Sequence, residues 1–426
     1  MFSRWTRTLL LGSAVALLSV VPWRTAVAAP AETAPSETAL LKAPAPKPTA
    51  DADDAEANED APEISVPSRL HAPPIASASP LSAAEDLLAR AHRDPLGRYV
   101  VPGKKGDRPL TIDPDLQEKL TDLLSRYDTP YGAVVVLEPS TGRVLAMAEH
   151  SADAPKMRGL TTKALFPAAS VFKMVTASAL LEEGVSADEE ECFHGGERHI
   201  REKLLEDSAR DRRCLTLTQA LAQSANAVFA KLTHKHLTAD ALLGAAERFH
   251  FNRAVDFPIP TDMSLAAVPD DTLGLAKAGA GFGDVFISPL QGAMMASVIA
   301  NKGVWRAPLL FDDQVPSATE RVMPTQVAED IGAMMAQTVS AGTGRKIFHQ
   351  RGFAIPDAAG KTGSLNDKHP YRDYTWFVGY APREHPQVAV AAIVVNGYRW
   401  RIHGPYVARE AIRLALQRAK RVALSR

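Results

Sequence analysis

Gly132-Ala-Val-Val-Val-Leu-Glu-Pro-Ser-Thr-Gly-Arg-Val-Leu-Ala-Met147 decides the architecture. Two strand-like runs, Gly132–Glu138 and Arg143–Glu149, flank the turn Pro139-Ser-Thr-Gly142, which predicts a hairpin. Upstream, Asp113-Pro114 offers an N-cap followed by a proline at the first helical position. Leu116, Leu120, Leu123, Leu124 and Tyr127 then recur at helical spacing. Strand-like runs return near the end, at Tyr374–Tyr380 and Gln387–Val395, before an amphipathic helix from about Pro405. Residues 166–350 read as mostly helical with irregular excursions. Strands at both ends with helices between them predict an antiparallel sheet of non-consecutive segments, one face covered by the terminal helices. The fold class is α/β of the α+β kind: a central antiparallel sheet, flanking terminal helices and a mainly helical subdomain.

The flanks read differently. Arg4 and Arg7 precede an apolar run from Leu9 to Val21, and Ala26-Val27-Ala28 follows. That is the pattern of a secretory signal over residues 1–28. The run is shorter than the ~20 apolar residues of a spanning helix, so a cleaved signal is preferred to an uncleaved anchor. Either reading exports the rest of the chain, to the periplasm or the outer face of the cytoplasmic membrane. Residues 29–82 hold 10 of the 31 prolines and no Phe, Trp or Tyr. Such a stretch buries too little apolar surface to offset its ordering entropy and is expected to be a disordered tether. Residues 83–112 form a short lead-in, in which Ala83–His92 could make one helix before Pro95, Pro102, Gly103 and Gly106 break the pattern. The catalytic domain is expected over 113–426. Lys+Arg number 48 against 49 Asp+Glu, a net charge of −1, so a nucleic-acid partner is not expected.

Three short motifs carry the chemistry. The first is Ser170-Val-Phe-Lys173, where Pro167 starts a helix that runs over Val171–Glu183 to Gly184. Ser170 and Lys173 are spaced i,i+3 and share a face. A serine hydroxyl is a poor nucleophile without a base in reach. Lys173 can be that base if burial or a second cation lowers its pKa by roughly 3 units. The second is Ser224-Ala-Asn226, a hydroxyl that can relay a proton and a carboxamide that can grip an amide. Alone, a capping Ser/Asn pair explains it better. The third is Lys361-Thr362-Gly363, with Ser364 after it. Gly363 would let a substrate backbone approach an edge strand, and Lys361 offers a fixed positive charge for a carboxylate.

Together the three are specific: Ser-x-x-Lys, Ser-x-Asn and Lys-Thr-Gly form the signature of penicillin-binding proteins and class A β-lactamases. The chain resembles the transpeptidase domain of penicillin-binding proteins, of the class B kind, over about residues 110–420. Gly281-Phe-Gly-Asp-Val-Phe-Ile-Ser-Pro-Leu-Gln291 and Trp376-Phe-Val-Gly-Tyr-Ala-Pro382 extend the similarity beyond the motifs. The resemblance implies that Ser170 attacks the penultimate D-Ala carbonyl of a peptidoglycan stem peptide while Lys173 takes its proton. It implies that Ser224 passes a proton to the leaving amine and Asn226 holds the substrate amide. Lys361 would position the carboxylate, with Thr362 and Ser364 as donors. The backbone N–H groups of Ser170 and Ser364 would form the oxyanion hole. Implied partners are stem peptides, β-lactam antibiotics and a separate glycosyltransferase, and no cofactor is implied. Two departures stand out. The pedestal domain usual in class B has no counterpart between Ala29 and Pro114, and Ala168-Ala169 stand where the family often has Pro-Gly.

Rival readings share the fold. A serine β-lactamase needs fast deacylation, yet no Glu-x-x-Leu-Asn stretch follows Ser224 as in class A, and Asn226 stands where class D has an apolar residue. A D,D-carboxypeptidase remains open. A β-lactam sensor would carry membrane helices and a cytoplasmic effector, and a dead scaffold would not keep every motif residue. Cys192 and Cys214 bracket a charged excursion, Glu197 to Arg213, and are expected to pair in an exported protein. His234-Lys-His236 faces two directions on a helix and reads as surface, so no metal site is expected. Gly279-Ala-Gly-Phe-Gly283 reads as a cleft-wall turn.

Overall fold

The structure, a computed structural model, describes residues 87–424 apart from Lys105, Glu197 and Arg198. The expected signal (1–28), the tether (29–82) and the first four residues of the lead-in lie outside the described residues.

Among its described residues the lead-in holds no α-helix. It makes one 3₁₀ turn, Leu88–Arg90, and a small antiparallel sheet of His92–Arg93, Tyr99–Val101 and Arg108–Pro109. The Asp94 carboxylate accepts the N–H groups of Leu96 and Arg98 at 3.0 and 2.8 Å and closes the turn between the first two of these strands.

The elements around the main sheet begin with α1 (Pro114–Arg126), capped by the Asp113 carboxylate on Leu116 N–H at 2.9 Å. The hairpin follows as β1 (Tyr131–Leu137) and β2 (Val144–His150). The helical region holds α2 (Lys173–Glu182), α3 (Leu217–Gln223), α4 (Asn226–His236), α5 (Pro289–Ala300) and α6 (Thr325–Ser340), among shorter pieces. The chain returns to the sheet as β3 (Ala359–Lys368), β4 (Tyr371–Ala381) and β5 (Val388–Asn396), and ends in α7 (Gly404–Leu424). The five strands are antiparallel in the order β3-β4-β5-β1-β2, so the first hairpin docks on the last strand and β3 is an edge.

Alternation sorts the strand residues onto two cores. Val134, Val136, Phe377, Val390, Ala392 and Val394 pack under α1 and α7, against Leu120, Leu124, Val407 and Ala411. Val135, Trp376, Val378, Ala391 and Ile393 face the helical region. Both faces of the central strands are covered, which is why β5 reads as an unbroken apolar run, Val388-Ala-Val-Ala-Ala-Ile-Val-Val395. The helix α5 is apolar on every side for the same reason: it is buried between the sheet and the other helices.

Candidate active site

The first motif sits on a turn held from two sides. The Trp376 indole N–H of β4 donates to Pro167 O at 2.9 Å, and Ala168 N–H donates to Val285 O at 2.9 Å. Ala169 then takes φ +48°, the left-handed region that a β-carbon disfavours. This is the position at which the sequence departs from Pro-Gly. Ser170 lies in a 3₁₀ turn, Ala169–Phe172, and the α-helix begins only at Lys173. In a 3₁₀ turn residues i and i+3 eclipse, which brings Lys173 Nζ to 2.9 Å from Ser170 Oγ.

Lys173 is fully buried. Its other two partners are Asn226 Oδ1 and Ala280 O, both at 2.6 Å. The carboxamide and carbonyl oxygens can only accept, so they take two N–H bonds; the third partner, a hydroxyl, can also donate. A neutral Lys173 therefore spends both of its hydrogens on Asn226 and Ala280 and turns its lone pair to the Ser170 hydroxyl. Burial, and then the nearby Lys361 charge, push the Lys173 ammonium well below the usual lysine range. That is the depression the base role requires.

The second motif is a break between helices. A capping box, Thr216 with Gln219, starts α3. The helix ends at Ser224 in the left-handed conformation, φ 59° and ψ 37°, and Asn226 opens α4. Asn226 does not cap that helix; Ala225 holds the cap position without a side-chain bond. Ser224 Oγ accepts from Lys361 Nζ at 2.9 Å, and Asn226 turns to Lys173. The break thus presents its two polar side chains to two different lysines.

The third motif lies on the edge strand β3. Lys361 is fully buried and also donates to Thr362 O at 2.8 Å. Burial pushes Lys361 down to about 7. A side chain on Gly363 would lie 3.2 Å from Trp376 Cβ, 3.3 Å from Val171 Cγ1 and 3.4 Å from Ala168 O, so the nucleophile turn packs closely on the strand there. Ser364 is exposed and Thr362 half-buried.

The structure thus brings the three motifs together: Lys173 joins Ser170 to Asn226, Lys361 joins Ser224 to β3, and Gly363 packs on the Ser170 turn with Thr362 and Ser364 on either side of it in the strand. Three further residues take part beyond these eight. Ala280 contributes a backbone carbonyl, which no residue type announces, although the glycine-rich turn around it was read as a cleft wall. Gly281, at φ +86°, could carry no side chain, since a β-carbon would lie 2.4 Å from Ala169 O. Thr343 touches Thr362 Oγ1 at 2.6 Å and belongs to none of the three motifs.

Beside the cleft, the excursion forms a hairpin, Glu190–Phe193 with Arg213–Thr216, in which Cys192 and Cys214 are opposite each other and disulfide-bonded. The fully buried Lys231 of α4 reaches Glu191, Asp207 and Asp211 at 3.0, 2.9 and 2.9 Å, and Cys192 O at 2.7 Å. His234 and His236 face Glu206 and Glu189 separately.

A family model described as the penicillin binding protein transpeptidase domain matches residues 132–413. The peptidoglycan D,D-transpeptidase PbpA of Mycobacterium tuberculosis strain H37Rv is 28% identical over 357 residues, covering 72% of this chain and 69% of that protein. The peptidoglycan D,D-transpeptidase MrdA of Haemophilus influenzae is 25% identical over 353 residues, covering 67% and 52%. Among solved structures, the D,D-transpeptidase domain of a peptidoglycan glycosyltransferase from Eggerthella lenta superposes with a TM-score of 0.61 at 25% identity, over 77% of this chain and 95% of that one. Penicillin-binding protein A of M. tuberculosis, as a ceftriaxone acyl-enzyme, gives 0.58 at 25% identity, over 72% and 79%.

Proposed function

The chain belongs to the penicillin-binding protein transpeptidase family, and on that premise we propose that it is a peptidoglycan D,D-transpeptidase that also binds penicillins covalently. The observation that carries the reading is the bare pairing of Lys173 Nζ with Ser170 Oγ at 2.9 Å, with no carboxylate among the partners of that lysine. Ser170 Oγ attacks the carbonyl of the penultimate D-Ala while its proton passes to Lys173. The tetrahedral oxyanion is received by the backbone N–H groups of Ser170 and Ser364. The C–N bond to the terminal D-Ala then breaks, and Ser224 delivers a proton to the departing amine, resupplied from Lys361. Asn226 holds the stem-peptide amide. The Lys361 charge, with the Thr362 and Ser364 hydroxyls, receives the terminal carboxylate. An amine of a neighbouring stem then attacks the serine ester and gives up its proton through Ser224 to Lys361; the ester C–O bond breaks, Lys173 returns its proton to Ser170 Oγ, and a cross-link remains.

The substrate lies outside the cytoplasm, and the Cys192–Cys214 bond is in keeping with an oxidising compartment, so we place the protein there. Stem peptides and β-lactams are its ligands, and a separate glycosyltransferase would supply the glycan strands.

A labelled penicillin tests the reading. The wild-type chain should carry one label that persists for many minutes, and Ser170→Ala should carry none. Fast multiple-turnover hydrolysis without an adduct would mean a β-lactamase. Defined muropeptides then separate cross-linked from trimmed products, which distinguishes a carboxypeptidase.

A further inference from the structure

The turn after α6, Ala341 to Gly344, joins two motif segments without belonging to either. Its backbone is pinned. Ala341 and Gly342 N–H both donate to Gln337 O at 2.9 Å, Gly344 N–H to Thr338 O at 3.0 Å, and Thr343 N–H to Ala222 O at 3.1 Å. A side chain on Gly342 would lie 2.1 Å from Ala222 O, so the turn rests directly on the last residues of α3, the segment that ends in Ser224. From this fixed backbone Thr343 Oγ1 reaches Thr362 Oγ1 on β3 at 2.6 Å.

The direction of that hydroxyl bond follows from the choice of acceptors. Thr343 Oγ1 has Thr362 Oγ1 at 2.6 Å and Ala222 O at 3.4 Å. An O–H···O bond is normally about 2.7–2.8 Å, and at 3.4 Å little remains of it. Either hydroxyl could donate across the 2.6 Å contact; Thr343 is assigned as the donor because Thr362 Oγ1 is the nearer of its two acceptors. Each hydroxyl has one hydrogen and two lone pairs. With one Thr362 lone pair occupied from Thr343, the Thr362 hydrogen is left for an anion in the cleft, and accepting a bond makes it a better donor. In the reverse arrangement Thr362 would spend its only hydrogen on Thr343 and offer the anion a lone pair.

We propose that Thr343 is a positioning and specificity-determining residue: it holds Thr362 as a donor and so selects acyl donors that end in a free carboxylate. The proposal rests on the acyl-transfer reading above. Thr343 acts through Thr362 and does not itself touch the reacting atoms.

The test compares a penicillin free acid with its methyl ester, which lacks the anion, on the full chain, with acylation of Ser170 followed by intact mass. Thr343→Val keeps the shape and removes the hydroxyl; Thr343→Ser keeps the hydroxyl. For Thr343→Val the second-order acylation constant with the free acid should fall about tenfold, the scale of one weakened charge-assisted bond. With the ester it should stay within about twofold of wild type, and Thr343→Ser should recover the free-acid rate to within about threefold. Should the valine variant misfold, Thr343→Ala carries the same acid-to-ester comparison. An equal loss on both probes, or no loss on either, overturns the proposal and leaves the acyl-transfer reading standing. A wild-type chain that takes neither probe overturns both.

Discussion

Lys173 and Lys231 are equally hidden, at 0% and 1% exposure, on the packed helices α2 and α4, yet their surroundings drive them in opposite directions. Lys173 meets three neutral oxygens and a second lysine, and is pushed down. Lys231 meets three carboxylates and a carbonyl. Burial works against its charge, but the hydrogen bonds to Asp211, Asp207 and Glu191 outweigh it and raise Lys231 above the usual lysine range. Asp211 shows the other half of the exchange: despite its own desolvation, His194 and Lys231 hold it at about 2. Burial alone does not set a lysine's charge; the acceptors buried with it do. One lysine is kept able to titrate and the other is locked as a structural cation.

The largest expected effects come from removing each amine in turn. Lys173→Met should slow acylation by a labelled penicillin about 10²–10⁴-fold, the usual loss of a general base, with little change in thermal midpoint. Lys231→Met should do the reverse, costing about 3–5 kcal/mol of stability because three carboxylates lose their shared cation. Parallel melts and labelling rates decide it, and a Lys173 variant that unfolds while a Lys231 variant is merely inactive would abolish the contrast.

The two lysine sites should also separate by pH. Lys361 is held near 7 in the fold against 10.5 unfolded, so its contribution is complete above 10.5 and is lost as pH falls through about 7. The midpoint of wild type, relative to Lys361→Met, should therefore climb between about pH 7 and pH 10. Lys231 has the opposite sign: its contribution is complete below 10.5 and disappears only above it. Parallel midpoint-against-pH curves for wild type and Lys361→Met would contradict a buried, depressed Lys361.

Reduction, or a Cys192→Ser and Cys214→Ser pair, asks whether the Lys231 cage is held by charge or by the covalent staple. Closing a 22-residue separation is worth roughly 3 kcal/mol in loop entropy. Stability should fall by about that amount, while labelling of Ser170 changes less than about threefold because Asn226 is anchored through α4. A collapse of labelling in still-folded protein would show that the excursion positions the cleft.

The smallest effect carries the comparison to the backbone. Ala169, at φ +48°, carries strain beside Ser170 that a glycine would relieve. Ala169→Gly should stabilise by less than about 1 kcal/mol, since the gain is partly cancelled by a more flexible unfolded chain. A clear loss in the melt would mean that the methyl group, buried at this turn, is worth more than the strain.

The sequence was most legible where periodicity or chemistry repeats. The hairpin around Gly142, the capped helix at Asp113 and β5 appear within a residue or two of where apolar alternation and spacing put them, while β4 begins three residues before the expected Tyr374. The cleft was legible because the three motifs constrain one another, although each alone is weak. What stayed hidden depends on contacts between distant segments. Neither the burial that pushes Lys361 down nor the convergence of Glu191, Asp207 and Asp211 on Lys231 can be read from neighbours in the chain. Gly363 stands out in the sequence as a place of close approach, but its contact with Val171 and Ala168, almost two hundred residues away, does not. The lead-in had too few apolar residues to declare a period.

The open edge of β3 has a consequence for solubility. Its outer backbone groups are unpaired among the described strands, and the proposed reaction needs them so, because a peptide must lie along them. Any unpaired edge is equally a template for a second copy of the chain. From Lys361 to Lys368 the strand carries a single aliphatic residue, the half-buried Leu365, while Ser364, Asn366 and Lys368 face water and Asp367 lies between them. Polar and charged side chains of this kind discourage sheet-to-sheet growth. The strand that must stay receptive to a peptide thus carries its own gatekeepers against polymerising with itself.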